Sequence, residues 1–261
     1  ALACLLCGVA CGMIGTYVVC RRLVFLSGGI THASFGGIGM AYYFGANPLL
    51  GALLFAVLSA LGIETFTARK QIREDSAIGL LWSLGMAIGI IFIYLTPGYA
   101  PNLMSFLFGN ILSVTGTDIF WMGVVDLAIL LIFGTMYHPI LFVAFDREYA
   151  RSQNFPTRTI SYLMATLVAV TIVISIRVVG IVLLISLLTI PAVIGNLISK
   201  SFGRILLYGS VIAALSAFAG LYISYQTNIP SGASTIFVLT VTLIAVKTIT
   251  FVRLKRRMKT R

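Results

Sequence analysis

The chain alternates between long apolar stretches and short polar connections. Within each stretch the apolar residues are continuous, whereas a strand of a membrane barrel would alternate, so α-helices are predicted. A helix needs about 20 residues to cross a bilayer. Nine stretches approach that length, at residues 1–20, 31–45, 48–68, 77–96, 119–143, 159–176, 179–198, 205–224 and 233–252. Because the second is short, the pattern predicts an all-α integral membrane protein, a polytopic helical bundle with eight or nine transmembrane helices.

Three local features refine this prediction. Residues 103–112, LMSFLFGNIL, are too short to span, and a crossing there would put a later basic loop outside. They are therefore expected to form a re-entrant or interfacial helix that ends at Gly109-Asn110. Asp75 is a favourable N-cap and should start the fourth span. Pro191 should kink or break its helix in mid-membrane, which would free backbone carbonyls to line a pathway.

Composition and charge exclude a soluble domain and set an orientation. Only 10% of the 261 residues are charged and 59% are hydrophobic, whereas soluble domains have about 25% charged residues. The net charge is +11, but 16 of the 18 basic residues lie in segments that share one side if Arg21 and Arg22 are cytoplasmic; the exceptions are Arg177 and Lys247. This is the positive-inside bias of membrane proteins. We therefore predict no nucleic-acid partner, an outer N-terminus, and a cytoplasmic C-terminus whose basic tail can contact anionic membrane lipid.

The longest strongly polar interruption is residues 145–158, FDREYARSQNFPTR, here called the polar loop. Acidic residues Asp146 and Glu148 precede Arg151, an order that suits the dipole of a short helix. A simple solvated connection would not require this order. The pattern indicates that a soluble partner contacts the loop. A plain cytoplasmic connection is the alternative, and general loop statistics support it equally well.

Few residues in the apolar stretches carry chemistry. His32 lies in a glycine-rich segment and is either a metal ligand or a hydrogen-bonded packing residue. Asp126 is the only acid predicted within a span, and an ion relay or a structural hydrogen bond would explain it equally well. Cys4, Cys7 and Cys11 share a helical face, where small apolar packing is favoured over a soft-metal site.

No phosphate-binding loop, H-E-x-x-H or G-x-S-x-G motif occurs, so the chain is not expected to be an enzyme or to hydrolyse nucleotide itself. No permanently bound cofactor is expected either.

Several motifs together resemble the permease subunits of ABC importers for zinc, manganese and iron. Each is weak by itself, but they cover nearly the whole chain in the order that this family has. They are Arg21-Arg22 with Ile30-Thr31-His32-Ala33, then Asp75 to Gly79, Leu107 to Leu112, Phe145-Asp146 to Ala150, and Val179-Gly180 through Pro191-Ala192.

The resemblance implies a single transmembrane permease domain, residues 1–261, in a bacterial inner (plasma) membrane. It implies a homodimer or pseudo-dimer with the pathway on its twofold axis, two cytoplasmic ATPase subunits that use the ATP, and an extracytoplasmic metal-binding protein. The polar loop would then contain a cytoplasmic coupling helix, with Asp146, Glu148, Ala150 and Arg151 contacting the ATPase. Candidate pathway residues are Gly28, Asp126 and Pro191, and His32 is the candidate metal ligand.

Three positions depart from the family pattern. The family has an Asp one helical turn before the His, and this chain has Gly28 there; the family's Pro four residues after the His is Gly36. In the polar loop, Gln153-Asn154 replaces a common Leu-Gly or Met-Gly pair. Loss of the carboxylate favours zinc over manganese as the transported ion. A siderophore or cobalamin-type ABC permease and a stand-alone secondary metal transporter remain alternatives.

Overall fold

The computed structural model describes residues 2–68, 73–97, 109 and 114–259, and this part of the chain contains ten helices and no strand. The helices are α1 Leu2–Cys20, α2 Val24–Tyr43, α3 Pro48–Ala68, α4 Glu74–Leu95, α5 Gly116–Thr135, α6 Tyr137–Phe145, α7 Arg147–Ser152, α8 Thr157–Ile198, α9 Phe202–Thr227 and α10 Ser231–Lys259. The predicted all-α architecture is confirmed for these residues.

Seven of the described helices are long and apolar enough to cross a membrane: α1, α3, α4, α5, α8, α9 and α10. The prediction of a polytopic membrane bundle is therefore confirmed. Helix α2 has 20 residues and a similar length, but its glycines, serines and threonines lower its hydropathy, and most of it is buried within the bundle. A helix surrounded by other helices does not need a lipid-facing apolar surface.

Helix α8 is interrupted at Gly180, whose backbone angles are φ 77° and ψ 162°. Its 42 residues would extend about 63 Å if straight, twice the hydrocarbon thickness of a bilayer. Instead, Ser175 lies beside Ala10 of α1, whereas Leu188 lies against Gly15. Since Gly15 is nearer than Ala10 to the Arg21 end of α1, the chain after Gly180 runs back toward that end.

The prediction was a kink or a break at Pro191, and the break is wrong, because helical geometry continues through Pro191. A positive φ is inexpensive only for glycine, so the reversal occurs at Gly180. In a membrane bundle, neighbouring helices and local adjustments tolerate a proline within a helix. Gly109 lies against the backbone of Val179 and Gly180, so the outer connection contacts this reversal. The rest of the predicted re-entrant helix, residues 103–112, lies outside the described residues.

The fourth and fifth spans also differ from the sequence prediction. Helix α4 begins at Glu74 with Arg73 at the N-cap and no side-chain capping bond, so Asp75 lies in the first turn and is not the N-cap. The predicted span 119–143 is divided between α5 and α6, with Met136 between them. Pro139 explains this division, because its ring clashes with the carbonyl four residues earlier, at Thr135.

Close approaches at glycines hold the centre of the bundle together. Gly8 and Gly12 of α1 lie against the backbone of Ala214 and Ser210 in α9. As the residue number increases along α1, the number of the contacting residue in α9 decreases, so the two helices are antiparallel. The cysteines Cys4, Cys7 and Cys11 are fully buried in this packing, as a role in small apolar packing predicts.

Candidate functional site

His32 stacks on an aromatic ring of another helix. Its imidazole lies parallel to the ring of Trp82 on α4, with the centroids 4.3 Å apart and the planes 7° from parallel. Both residues are partly buried. Among the hydrogen bonds of the described residues, none involves a ring nitrogen of His32, so the imidazole is oriented by stacking while its nitrogens remain available.

The stack is possible because α2 and α4 approach each other closely. Gly85 and Gly89 of α4 form a G-x-x-x-G pattern, which lets two helix backbones come together in a membrane. Gly36 of α2 lies against Gly85, and Gly39 lies against Gly89. Since both sets of residue numbers rise together, α2 and α4 are parallel, and this register places His32 beside Trp82.

Gly28 lies one helical turn before His32, on the same side of α2. A Cβ atom at Gly28 would be 3.7 Å from the Trp82 ring and 3.9 Å from Cδ1 of Ile185, which are ordinary van der Waals distances. The absence of a side chain is therefore not imposed by tight packing. Pro191 is buried farther along the same stretch of α8 as Ile185.

The described residues of a single chain bring no group of three or more metal-binding side chains around His32. Within the described ranges, no cluster of three or more His, Cys, Asp or Glu residues is suitably placed to hold an ion. His32 therefore presents a single imidazole, next to an aromatic ring and a glycine.

Asp126 belongs to a different part of the bundle. It is 5% exposed and lies at a small cavity, about 10 Å³, lined by α1, α5 and α8 through residues that include Ala10, Thr171 and Ser175. Neither carboxylate oxygen has a hydrogen-bond partner among the described residues. A cavity of this size has room for roughly one water molecule. The structure does not bring Asp126 together with His32 and Gly28.

The polar loop forms a short helix, α7, as its charge order indicates. The Asp146 carboxylate accepts hydrogen bonds from the backbone N–H groups of Glu148 and Tyr149, both at 2.9 Å, so it caps the helix. Glu148 and Tyr149 are exposed. The Arg151 Nε donates to Thr157 Oγ1 at 3.4 Å, which connects α7 to the start of α8.

Ala150 differs from the expectation that it contacts a partner. Its side chain is fully buried within the protomer. Ala150 therefore anchors α7 to the bundle, and the surface that α7 offers to another molecule is formed by Glu148, Tyr149 and Arg151. An acidic residue at position 150 would disrupt this internal packing, because it would bury a charge.

Glu64 of α3 connects α7 to the transmembrane helices. Glu64 is buried, and its carboxylate accepts a hydrogen bond from Arg147, the first residue of α7. The Arg21 guanidinium at the end of α1 is 3.6 Å away and also donates to the Tyr17 hydroxyl at 2.7 Å. Arg147 additionally donates to the Ser161 hydroxyl of α8. A single buried carboxylate thus joins residues from three parts of the chain.

Comparison with known proteins assigns the chain to a family. Residues 1–250 match the model described as the ABC 3 transport family. The chain belongs to this family. The manganese transport system membrane protein MntC of Halalkalibacterium halodurans is similar to this ABC 3 protein at 34% identity over 236 residues, 90% of this chain and 81% of that one. MntC of Listeria monocytogenes is 30% identical, over 90% of this chain and 83% of its own length.

A solved structure supports the same assignment. PsaBC from Streptococcus pneumoniae in complex with Fab matches this ABC 3 protein with a TM-score of 0.83 at 28% identity, covering 94% of this chain and 88% of that chain. The resemblance to permease subunits of metal ABC importers is confirmed. The chain is accordingly a membrane transport subunit. This family membership favours a metal permease over a siderophore-type permease or a stand-alone transporter.

Two residues of the site were not found by sequence reasoning. Trp82 was overlooked because nothing near it in the sequence points to His32; the available clue was the G-x-x-x-G pattern of α4, which marks a helix-packing surface. Glu64 was also missed. An acid next to an otherwise basic connection should have indicated an ion pair.

Proposed function

We propose that this chain is the membrane-spanning permease subunit of an ATP-driven importer for divalent metal ions, with zinc as its preferred ion. The observation that carries the proposal is the His32 imidazole, oriented by Trp82, with Gly28 in place of a carboxylate one turn earlier. Family membership and the names of the manganese relatives support metal transport in general. The ion crosses the protein as its substrate and is not a resident cofactor.

The proposed topology has nine transmembrane passages. Seven helices qualify by length and composition, and α2 adds an eighth. Helix α8 contributes two passages instead of one, because it reverses at Gly180, which makes nine. With the Arg21 end in the cytoplasm of a bacterial cell, the first residues are outside, and both α7 and the C-terminus are inside. This assignment puts the Glu64 pair and α7 on the cytoplasmic face, and the Asp118–Arg177 pair on the outer face.

A homodimer would complete the ion site. One imidazole binds a divalent ion weakly, but a twofold axis between protomers would bring two copies of His32 together. The cytoplasmic ATPase subunits would contact α7, hydrolyse ATP and drive the change in access, and an extracytoplasmic metal-binding protein would deliver the ion. Incomplete protein ligation suits transport, because a fully ligated ion would be released slowly.

The donor type favours zinc. Neutral imidazole nitrogens suit zinc, whereas manganese prefers carboxylate and water oxygens. Gly28 supplies no carboxylate, and its surroundings contain an aromatic ring and an isoleucine. Manganese is the second candidate, because two of the similar proteins are named manganese transport system membrane proteins.

The test is ion uptake by His32→Ala and Gly28→Asp variants of the complete transporter. His32→Ala should lower zinc uptake at least about tenfold, since even loss of a supporting residue costs about 10–100-fold in metal affinity. Gly28→Asp should increase manganese uptake relative to zinc, and the ordinary distances around its Cβ indicate that the start of the new side chain fits.

His138→Ala is the matched control, because His138 is exposed and lies on α6 away from Trp82. It should leave zinc uptake unchanged. Unchanged zinc uptake in His32→Ala would refute the ligand role. A Gly28→Asp protein without any gain in manganese transport would refute the selectivity argument.

A further inference from the structure

The Glu64 carboxylate is the one acid among the described residues that lies between two arginines of different elements. Its side chain is 7% exposed, that of Arg21 is 11% exposed, and that of Arg147 is 31% exposed. The three groups occupy the end of the bundle where α1 ends, α3 ends and α7 begins. These ion pairs therefore link α7, whose other face is solvent-exposed, to the interior of the bundle.

The ion pair between Glu64 and Arg147 holds α7 against the bundle. A buried carboxylate without a partner is costly, so movement of Arg147 away from Glu64 must be matched by movement of Glu64 or by compensation from Arg21. Ala150 is buried on the same short helix, and both features attach α7 to the bundle. A displacement of α7 by a partner is thus transmitted to α3 and α1.

The connection continues toward His32. Arg21 lies directly after α1, and Arg22 and Leu23 are the two residues between it and α2. Helix α2 carries His32. The connection is short, and the Leu23 N–H donates to the Val18 carbonyl of α1 at 2.8 Å, so there is little slack between the two helices. A cavity of about 150 Å³, lined by residues including Glu64, Thr67, Arg147 and Arg158, gives the Arg147 guanidinium room to change position.

We propose that Glu64 is a positioning residue that couples displacement of α7 to the helices of the ion pathway, through Arg147 on one side and Arg21 on the other. The inference depends on the proposed function, because it assumes that an ATPase contacts α7. A passive anchor would alter stability but leave the number of ions moved per ATP unchanged. A coupling residue alters that ratio.

The experiment uses the whole transporter, purified with the ATPase that accompanies it and reconstituted in vesicles, with zinc ion as the probe. Glu64→Gln keeps the size and one acceptor oxygen but removes the charge. We expect the zinc transported per ATP hydrolysed to fall about tenfold, within the usual range of couplings between sites. Glu64→Asp keeps the charge and should restore a large part of the ratio. A passive anchor would leave the ratio of Glu64→Gln at the wild-type value.

Arg177→Gln is the matched control. It removes another ion pair between helices, Arg177 with Asp118 at 2.8 Å, at the opposite end of the bundle. It retains the capping box that Asp118 forms with the N-cap Thr115 of α5. Its transport ratio should remain at the wild-type value even if its thermal stability falls. An equal loss in Arg177→Gln and Glu64→Gln would overturn the proposal, because the effect would then be general to ion pairs.

A double variant tests whether the pair acts as a unit. If Glu64 and Arg147 act through each other, Glu64→Gln with Arg147→Gln should lower the ratio no further than either single change. Additive losses would overturn the proposal. The double variant also remains informative if Glu64→Gln folds poorly. It replaces Arg147 by a neutral glutamine, so no arginine is left at position 147 without its acidic partner.

The outcome for the wild-type complex separates this inference from the proposed function. Without zinc-dependent ATP hydrolysis in the wild type, the proposed zinc importer itself fails. With normal coupling in the wild type and equal coupling in Glu64→Gln, only the role of Glu64 fails.

Discussion

The close packing of α2 on α4 can be tested by adding one methyl group. Gly85→Ala places a Cβ atom 2.5 Å from Cα and 2.8 Å from the carbonyl oxygen of Ala33. Both are backbone atoms, so no flexible side chain can move aside. The two helices must separate, and the separation shifts His32 relative to Trp82.

The size of the effect follows from comparison with another glycine on the same helix. Gly79 has no atom within 4 Å of an added Cβ. Replacing glycine by alanine inside a helix stabilises it by about 0.5–1 kcal/mol through backbone entropy, and both variants share this gain. Overpacking costs about 1–3 kcal/mol. Gly85→Ala should therefore be about 1–3 kcal/mol less stable than Gly79→Ala.

The assay is thermal unfolding of both variants in the same detergent, together with zinc uptake in membranes. In a soluble domain of this size, about 2–4 °C of melting temperature corresponds to each kcal/mol. We expect Gly85→Ala to melt several degrees below Gly79→Ala and to transport less zinc, because the imidazole is displaced.

Equal melting temperatures would refute the close approach of α2 and α4. A lower melting temperature with normal uptake would retain the packing but refute the dependence of transport on the His32–Trp82 stack.

Two further predictions concern acidic residues in different environments. Asp126→Asn should change the free energy of unfolding by only about 1 kcal/mol and leave uptake nearly intact. The reason is that the Asp126 carboxylate makes no hydrogen bond among the described residues and lies apart from His32. Loss of uptake at normal expression would instead place Asp126 in the ion pathway. Glu148→Lys should abolish ATP-driven uptake while the protein folds and inserts normally, because Glu148 is exposed on α7 and a reversed charge opposes a fitted contact. Copurification of the ATPase measures this contact, and normal uptake in Glu148→Lys would make α7 a simple connection.

The helices were predictable where the solvent dictates the structure. Lipid cannot satisfy backbone N–H and C=O groups, so a continuous apolar stretch must form a helix wherever it meets the membrane. This reason applies to α3 and α9 regardless of their neighbours. The break in α8 was assigned to Pro191 because proline is the obvious local disruptor, but neighbouring helices tolerate it and Gly180 provides the reversal.

The candidate site was predictable only in part. His32 was selected because it is an imidazole within a glycine-rich membrane segment, and Asp146 because an acid at the start of a short helix satisfies backbone donors. The partner of His32 is 50 positions away in the chain, on a helix whose register depends on glycines. Ala150 has no property in the sequence that distinguishes an inward from an outward position on a six-residue helix.

The sequence by itself determined that this protein is a helical membrane protein, which family it resembles, and which residue types are available for ion binding. Only the tertiary structure decided that Trp82 orients His32, that Glu64 holds Arg147, and that Ala150 faces inward. The physical reason is that lipid tails are as apolar as the side chains facing them, so hydrophobicity sets helix formation but does not select partners. Close backbone approach at small residues and pairing of buried charges select them, and both depend on positions far apart in the chain.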